Sequence, residues 1–194
     1  KGDNETKKIE SVTIGKLEMP SLGSIGVKTS LNKKIGLNLC NVKYVAEAQL
    51  VSSYLRSNQF EIKKLSFCKT VDSIFLNKVD TNLSDIHNIE SENYYEKSKI
   101  TYKAMIAMRY HSCVWAALQG IPFIALAYDE KVVLIAKQLN QPYIKLYTNE
   151  FSVQMFSSLF IEFSENLLQY QNQLFKSCKQ LIDISQLNEK VLSA

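Results

Sequence analysis

Five residues within one short stretch carry side chains able to handle an anion and a proton. Arg109, His111 and Ser112 follow the apolar run Ala104–Met108, and Asp129 and Lys131 follow the apolar run Phe123–Ala127. An arginine at the end of a buried run is costly unless it is paired or faces a cleft, and its planar fork suits carboxylate or phosphate. His111 adds a group that exchanges protons near neutral pH. If a helix starts at His111, its first backbone N–H groups also favour an anion, and the Ser112 hydroxyl adds a donor. The chemistry on offer is phosphate or carboxylate binding coupled to proton transfer. A structural alternative stays open for each group: Arg109 paired with an acidic neighbour, His111 capping a helix, and Asp129 serving as an N-cap.

The elements that must position these groups can be read from apolar patterning. Ile35–Cys40, Ala104–Met108 and Phe123–Ala127 are short apolar runs of strand length, and Phe60–Phe67 and Tyr143–Leu146 are further strand candidates. Helical spacing is expected over Val45–Tyr54, Val71–Val79, His111–Leu118 and Glu130–Leu139, with Gly120 and Pro122 breaking the third from the next strand. Alternating short strands and helices imply an α/β fold, a Rossmann-like doubly wound parallel sheet covered on both faces. In such sheets ligands bind at the carboxyl ends of the strands, which is where Arg109 and Asp129 fall. Residues 80–99 read as a polar loop with short helices around Ser84–Ile89 and Asn93–Lys97, and His87 as a solvated loop residue.

The chain divides into a linker or tail over 1–33, a Rossmann-like domain over 34–149 and a C-terminal helical segment over 150–194. The first part holds Pro20 and four of the six glycines, with short strands expected near Val12–Ile14 and Ile25–Val27. The last part has no Gly or Pro. Its apolar stripe, Phe156, Phe160, Phe163, Leu167, Tyr170, Leu174, Cys178 and Leu181, predicts one or two long amphipathic helices that pack on the sheet or reach another domain.

Composition narrows the function classes. The net charge of +4 in 194 residues is small and spread out, so no nucleic-acid footprint is present. No apolar run is long enough to cross a bilayer, and the polar start KGDNETKKIES has no signal-peptide core. Without an initial Met, the chain reads as a processed protein or a piece of a longer one. Cys40, Cys68, Cys113 and Cys178 fit no metal-ligand spacing. Set among apolar residues, they point to reduced thiols in a cytoplasmic chain, and no metal is expected. The glycine fingerprints of dinucleotide and P-loop sites and the GxSxG elbow are missing.

The segment Met105–Val132, MIAMRYHSCVWAALQGIPFIALAYDEKV, resembles the C-terminal motif of the polysaccharide pyruvyl transferase family. There a strand ends in Met-Arg-Leu-His, followed by a small-residue helix, a Gly-Val/Ile-Pro turn, an apolar strand and Tyr-Asp-x-Lys-Val. Arg109 and His111 stand at the Arg and His places, Gly120 and Pro122 at the turn, and Asp129 and Lys131 at the last element. A looser match in element order spans roughly 35–146. The family is similar in fold to GT-B glycosyltransferases, so the resemblance implies a C-terminal GT-B domain followed by a long helix, facing an N-terminal Rossmann-like domain that this chain does not contain. It implies transfer of an enolpyruvyl-derived group from phosphoenolpyruvate, as donor substrate and without a cofactor, onto a sugar of a glycan precursor, giving a pyruvate ketal. Arg109 and His111 would be catalytic, and Tyr110, Ser112, Asp129 and Lys131 would bind the donor. The expected location is cytoplasmic, with the membrane face as one setting. The chain departs from the family in IGLNLCN, where Cys40, flanked by Asn38 and Asn41, takes the place of a common second Arg and Lys43 lies nearby; Tyr110 and Glu130 replace the usual Leu and Pro. Two other readings stand beside this one: a GT-B glycosyltransferase using a nucleotide sugar, and a non-catalytic ligand-binding domain.

Overall fold

The computed structural model describes residues 34–40, 42–79, 86–89, 103–148 and 150–192. The elements run β1 (Lys34–Asn38), a 3-10 turn (Val42–Tyr44), α1 (Val45–Ser57), β2 (Glu61–Ser66), α2 (Lys69–Val79), β3 (Ile86–Asn88), β4 (Ala104–Ala107), α3 (Tyr110–Leu118), β5 (Phe123–Ala127), α4 (Glu130–Gln138), β6 (Tyr143–Lys145), α5 (Val153–Glu165) and α6 (Leu167–Leu192). The described strands form one sheet of order β3-β2-β1-β4-β5-β6, every pairing parallel. This is a doubly wound, Rossmann-like sheet with a long C-terminal helix. Its topological switch point lies between β1 and β4, where Leu37 pairs with Ile106 and Asn38 with Ala107.

The strands carry apolar residues on both sides because both faces are covered. All of Ala104–Ala107 and Phe123–Ala127 is buried. One core holds Leu37, Ile106 and Leu126 under α1, α2 and α5; the other holds Met105, Phe123 and Ala125 under α3, α4 and α6. The C-terminal stripe divides between them. Phe156, Phe160 and Phe163 of α5 join the first core, whereas Leu174 of α6 joins the second, with Cys178 and Leu181 packed beside it. The break is at Asn166, which leaves helical geometry between the two helices and bonds back to the Glu162 carbonyl.

One sequence expectation is corrected in this fold. Ile86–Asn88 is a strand, not a helix within a loop, and His87 is its central residue. Its composition gives no strand signal; the ladder to Lys64–Ser66 of β2 supplies the pairing. Strands expected near Val12–Ile14 and Ile25–Val27, and the helix near Asn93–Lys97, lie outside the described residues.

The amino ends of β5 and β6 are tied to α6. The Gln141 side chain is buried; its Oε1 accepts from Phe123 N–H (3.0 Å) and its Nε2 donates to the Tyr170 carbonyl (3.0 Å). Gln171 Nε2 donates to the Gly120 carbonyl (3.0 Å). Gly120 ends α3 at φ +69°, and a Cβ there would sit 2.8 Å from the Phe175 ring. Gly120→Ala therefore meets both a left-handed backbone and an occupied space, with an expected loss of about 2 kcal/mol. A urea melt checks this, and Phe175→Ala in the same chain should recover the part due to the clash.

Candidate functional site

Arg109 stands at the switch point, where β4 ends and α3 begins. It is the N-cap residue of α3, with extended backbone (φ −84°, ψ 148°). Its backbone N–H donates to Asn38 Oδ1 (3.2 Å), so the last residue of β1 holds the turn that follows β4. Its side chain turns to Asp72 in the first turn of α2. Both Nε (2.7 Å) and Nη2 (2.5 Å) reach Asp72 Oδ1. Asp72 is fully buried, whereas the Arg109 side chain keeps 23% of its surface. Asp72 Oδ2 accepts from the N–H groups of Phe67 (2.8 Å) and Cys68 (3.2 Å) and from Asn38 Nδ2 (3.3 Å). Asn38, also fully buried, donates as well to the Leu65 carbonyl (3.0 Å). Burial works against the Arg109 charge, but the hydrogen bond and charge of Asp72 outweigh it and raise its pKa.

This pairing is the structural alternative left open for Arg109, yet it leaves the side chain partly exposed. Arg109 is also where α3 begins, without a side-chain cap. The first intrahelical bond runs from Cys113 N to the Arg109 carbonyl (3.1 Å), so the N–H groups of Tyr110, His111 and Ser112 precede the helical ladder. His111 is exposed and Tyr110 is 37% exposed, their rings at right angles 5.8 Å apart. Ser112 is fully buried and its hydroxyl donates to the Arg109 carbonyl (2.7 Å). In this geometry Ser112 closes the turn at the start of α3 and offers an external anion no accessible group, its hydroxyl being spent on the Arg109 carbonyl.

Asp129 N-caps α4, its Oδ1 accepting from Val132 N–H (3.2 Å), and its Oδ2 pairs with Lys131 (3.2 Å). The Lys131 ammonium also lies 5.7 Å from the centre of the Tyr128 ring, and its pKa is raised, first by the hydrogen bond to Asp129. Charges at the ends of β4 and β5 both act on Cys40, which follows β1. Burial pushes the Cys40 thiol up to about 12; within its field lie Arg109 and Lys131, which lower it, and Asp72 and Asp129, which raise it. Cys40 is thus a neutral, buried thiol whose backbone N–H donates to Met108 Sδ (3.3 Å), and it cannot stand in for a second cation.

Two groups at this end of the sheet have no clear signature in the sequence. Asp72 is one; an acidic residue in a helix's first turn reads as a partner of the helix dipole, and nothing local points to Arg109. The other is a cluster at the end of β6, where exposed Glu130 accepts from both Tyr147 Oη and Lys145 Nζ, the latter at 3.1 Å. The strongest influence on Glu130, its bond from Tyr147, lowers its pKa.

All four cysteines are free, but they differ in reach. Cys113 is buried and burial raises its pKa strongly; Cys178 is half-buried and pushed up to about 11 by burial. Cys68 is half-buried, with its thiol 3.6 Å from Thr70 Oγ1. Iodoacetamide at pH 8 is expected to modify Cys68 first and Cys40 and Cys113 only on unfolding, as peptide mass mapping would show. Early labelling of Cys40 would contradict this packing.

Among the described residues, no group of three or more His, Cys, Asp or Glu is placed to hold a metal ion, and no helix is long and apolar enough to cross a membrane. Compared with known proteins, the chain matches no family model, no curated protein and no solved structure.

Proposed function

We propose that the rim around Arg109 is the donor-binding wall of a polysaccharide pyruvyl transferase, in a domain of GT-B type. The observation that carries this reading is a partly exposed arginine standing at an uncapped helix start at the switch point. The motif Met105–Val132 supports the choice of donor. Phosphoenolpyruvate offers a phosphate and a carboxylate, and these suit the two neighbouring donor groups. His111, exposed at the first turn, is placed to carry protons.

In the reaction, the methylene carbon of phosphoenolpyruvate gains a proton, and a sugar hydroxyl attacks the adjacent carbon, losing its own proton. The carbon–oxygen bond to phosphate then breaks, and a second hydroxyl of the same sugar adds at that carbon as its proton leaves with the phosphate. The product is a cyclic pyruvate ketal plus inorganic phosphate. On this reading Arg109 and the N–H groups of Tyr110 and His111 bind the donor's anionic groups, Ser112 fixes the turn that presents them, His111 relays a proton, and Asp129 and Lys131 complete the donor site. The acceptor contacts and the opposite wall come, on this reading, from a second Rossmann-like domain, and the reaction takes place in the cytoplasm.

The test is a thermal melt with phosphoenolpyruvate and, separately, with nucleotide sugars. At a hundredfold excess over Kd, phosphoenolpyruvate should stabilise the protein by roughly 2.7 kcal/mol, and Arg109→Ala should abolish the effect. Stabilisation by nucleotide sugars alone would replace this reading with a glycosyltransferase. A protein indifferent to both ligands, with or without Arg109, would be a non-catalytic domain.

A further inference from the structure

We infer that Asp72 is the positioning residue of this site, consuming the Nε–Nη2 edge of Arg109 so that a bound oxyanion is met end-on by Nη1 and the remaining Nη2 hydrogen. The inference rests on the reading above that Arg109 faces an anion, and it adds which edge does so and what holds it there.

The geometry is unusual for a pair that serves stability alone. Asp72 receives two N–H groups of Arg109 on one oxygen, Oδ1. Its other oxygen is filled by Phe67 N–H, Cys68 N–H and Asn38 Nδ2. The carboxylate therefore cannot rotate without losing several bonds, and the guanidinium plane follows it. Asn38 pins the other end of the residue by accepting the Arg109 backbone N–H. Held at both ends, Arg109 keeps its Nε–Nη2 edge on buried Asp72, which leaves Nη1 and one Nη2 hydrogen outside the pair while 23% of the side-chain surface stays exposed. Because Asp72 offsets the Arg109 charge, the anion gains from the directed N–H groups of Arg109 and α3 more than from a bare positive charge. The ligand class that suits this is a small planar or tetrahedral oxyanion, a carboxylate or a phosphate monoester.

A lysine cannot reproduce the arrangement. Its single ammonium must choose between Asp72 and the ligand, whereas a guanidinium serves both from different edges.

The experiment titrates the full chain with phosphoenolpyruvate and with inorganic phosphate by calorimetry, using the wild type, Arg109→Lys and Asp72→Asn. Circular dichroism establishes that each variant is folded. In parallel, 15N NMR follows the Arg109 Nε–H. The expected result is a slowly exchanging Nε–H in the wild type that ligand leaves in place, with loss of that protection in Asp72→Asn. Arg109→Lys keeps the fold and loses at least tenfold in affinity for both anions, and Asp72→Asn does likewise. If Asp72→Asn is folded and binds phosphoenolpyruvate as the wild type does, the positioning role is overturned while the pyruvyl reading stands. If phosphate binds with this pattern and phosphoenolpyruvate does not, the pyruvyl reading falls and the positioning role stands. If the wild type binds neither anion, both fall. Should Asp72→Asn fail to fold, the wild-type Arg109 Nε–H carries the decision: fast exchange, or loss of its protection on adding ligand, overturns the positioning role.

Discussion

Phe156→Ala is expected to destabilise the protein by about 3–5 kcal/mol, the usual range for emptying a fully buried aromatic site. Phe156 has no exposed surface. Its ring meets Tyr54 edge-on at 5.5 Å and stacks with Phe160 at 5.8 Å, so it joins α5 to α1. Phe160 in turn meets Phe60 edge-on at 5.1 Å, at the entry to β2. The loss would be read from the midpoint of a urea transition, with the slope unchanged if unfolding stays two-state. Total stabilities of domains run to roughly 5–15 kcal/mol, so one such cavity removes a large share. The same packing predicts that a chain ending at Glu150 will not unfold cooperatively, because the aromatic layer over Val51 and Leu55 of α1 is gone. A sharp transition with the original midpoint in that shortened chain would mean that the C-terminal helices are an appendage rather than part of the core.

Asp72→Ala is expected to cost about 3–5 kcal/mol, the range measured when one partner of a buried ion pair is removed. The pair is not isolated. Removing the carboxylate strands the inner edge of Arg109, the N–H groups of Phe67 and Cys68, and one hydrogen of the Asn38 amide. Each buried donor left without an acceptor carries its own penalty of roughly 1–3 kcal/mol, partly relieved where water enters beside the exposed end of Arg109. Asp72→Asn keeps the shape and one acceptor oxygen, so its loss should be smaller. Thermal and urea melts of the two variants side by side test this order. Equal stability of Asp72→Ala and the wild type would show that the network contributes nothing to the fold.

The central strands β4 and β5 are legible in the amino-acid sequence because strands buried on both faces favour unbroken apolar runs. Phe123–Ala127 is such a run, and its limits in the fold are the ones its sequence suggests. Asp129 is equally legible: its side chain sits where the next helix must begin, and it caps that helix. The edge strand Ile86–Asn88 is not, since a three-residue polar segment owes its conformation to the ladder offered by β2. The C-terminal stripe shows its period but not its destination. A run of apolar residues at steps of three and four says which side of a helix is buried, and it says nothing about which face of the sheet receives it. Here the stripe changes core within α6: Leu167 and Tyr170 still pack on the core that holds Phe163, and Leu174 enters the other.

The site divides along the same line. By itself the sequence determined that Arg109 ends a buried strand, that His111 lies in the first turn of the helix that follows, and that Asp129 and Lys131 open the next helix. Those are local facts, set by the limits of apolar runs and by the residues that can begin a helix. Only the tertiary structure decided that Arg109 is held by Asp72, 37 positions away in the chain, and that Asn38 of β1 braces both. That pairing depends on β1 lying between β2 and β4, and strand order is set by how whole elements pack, not by any short window of residues.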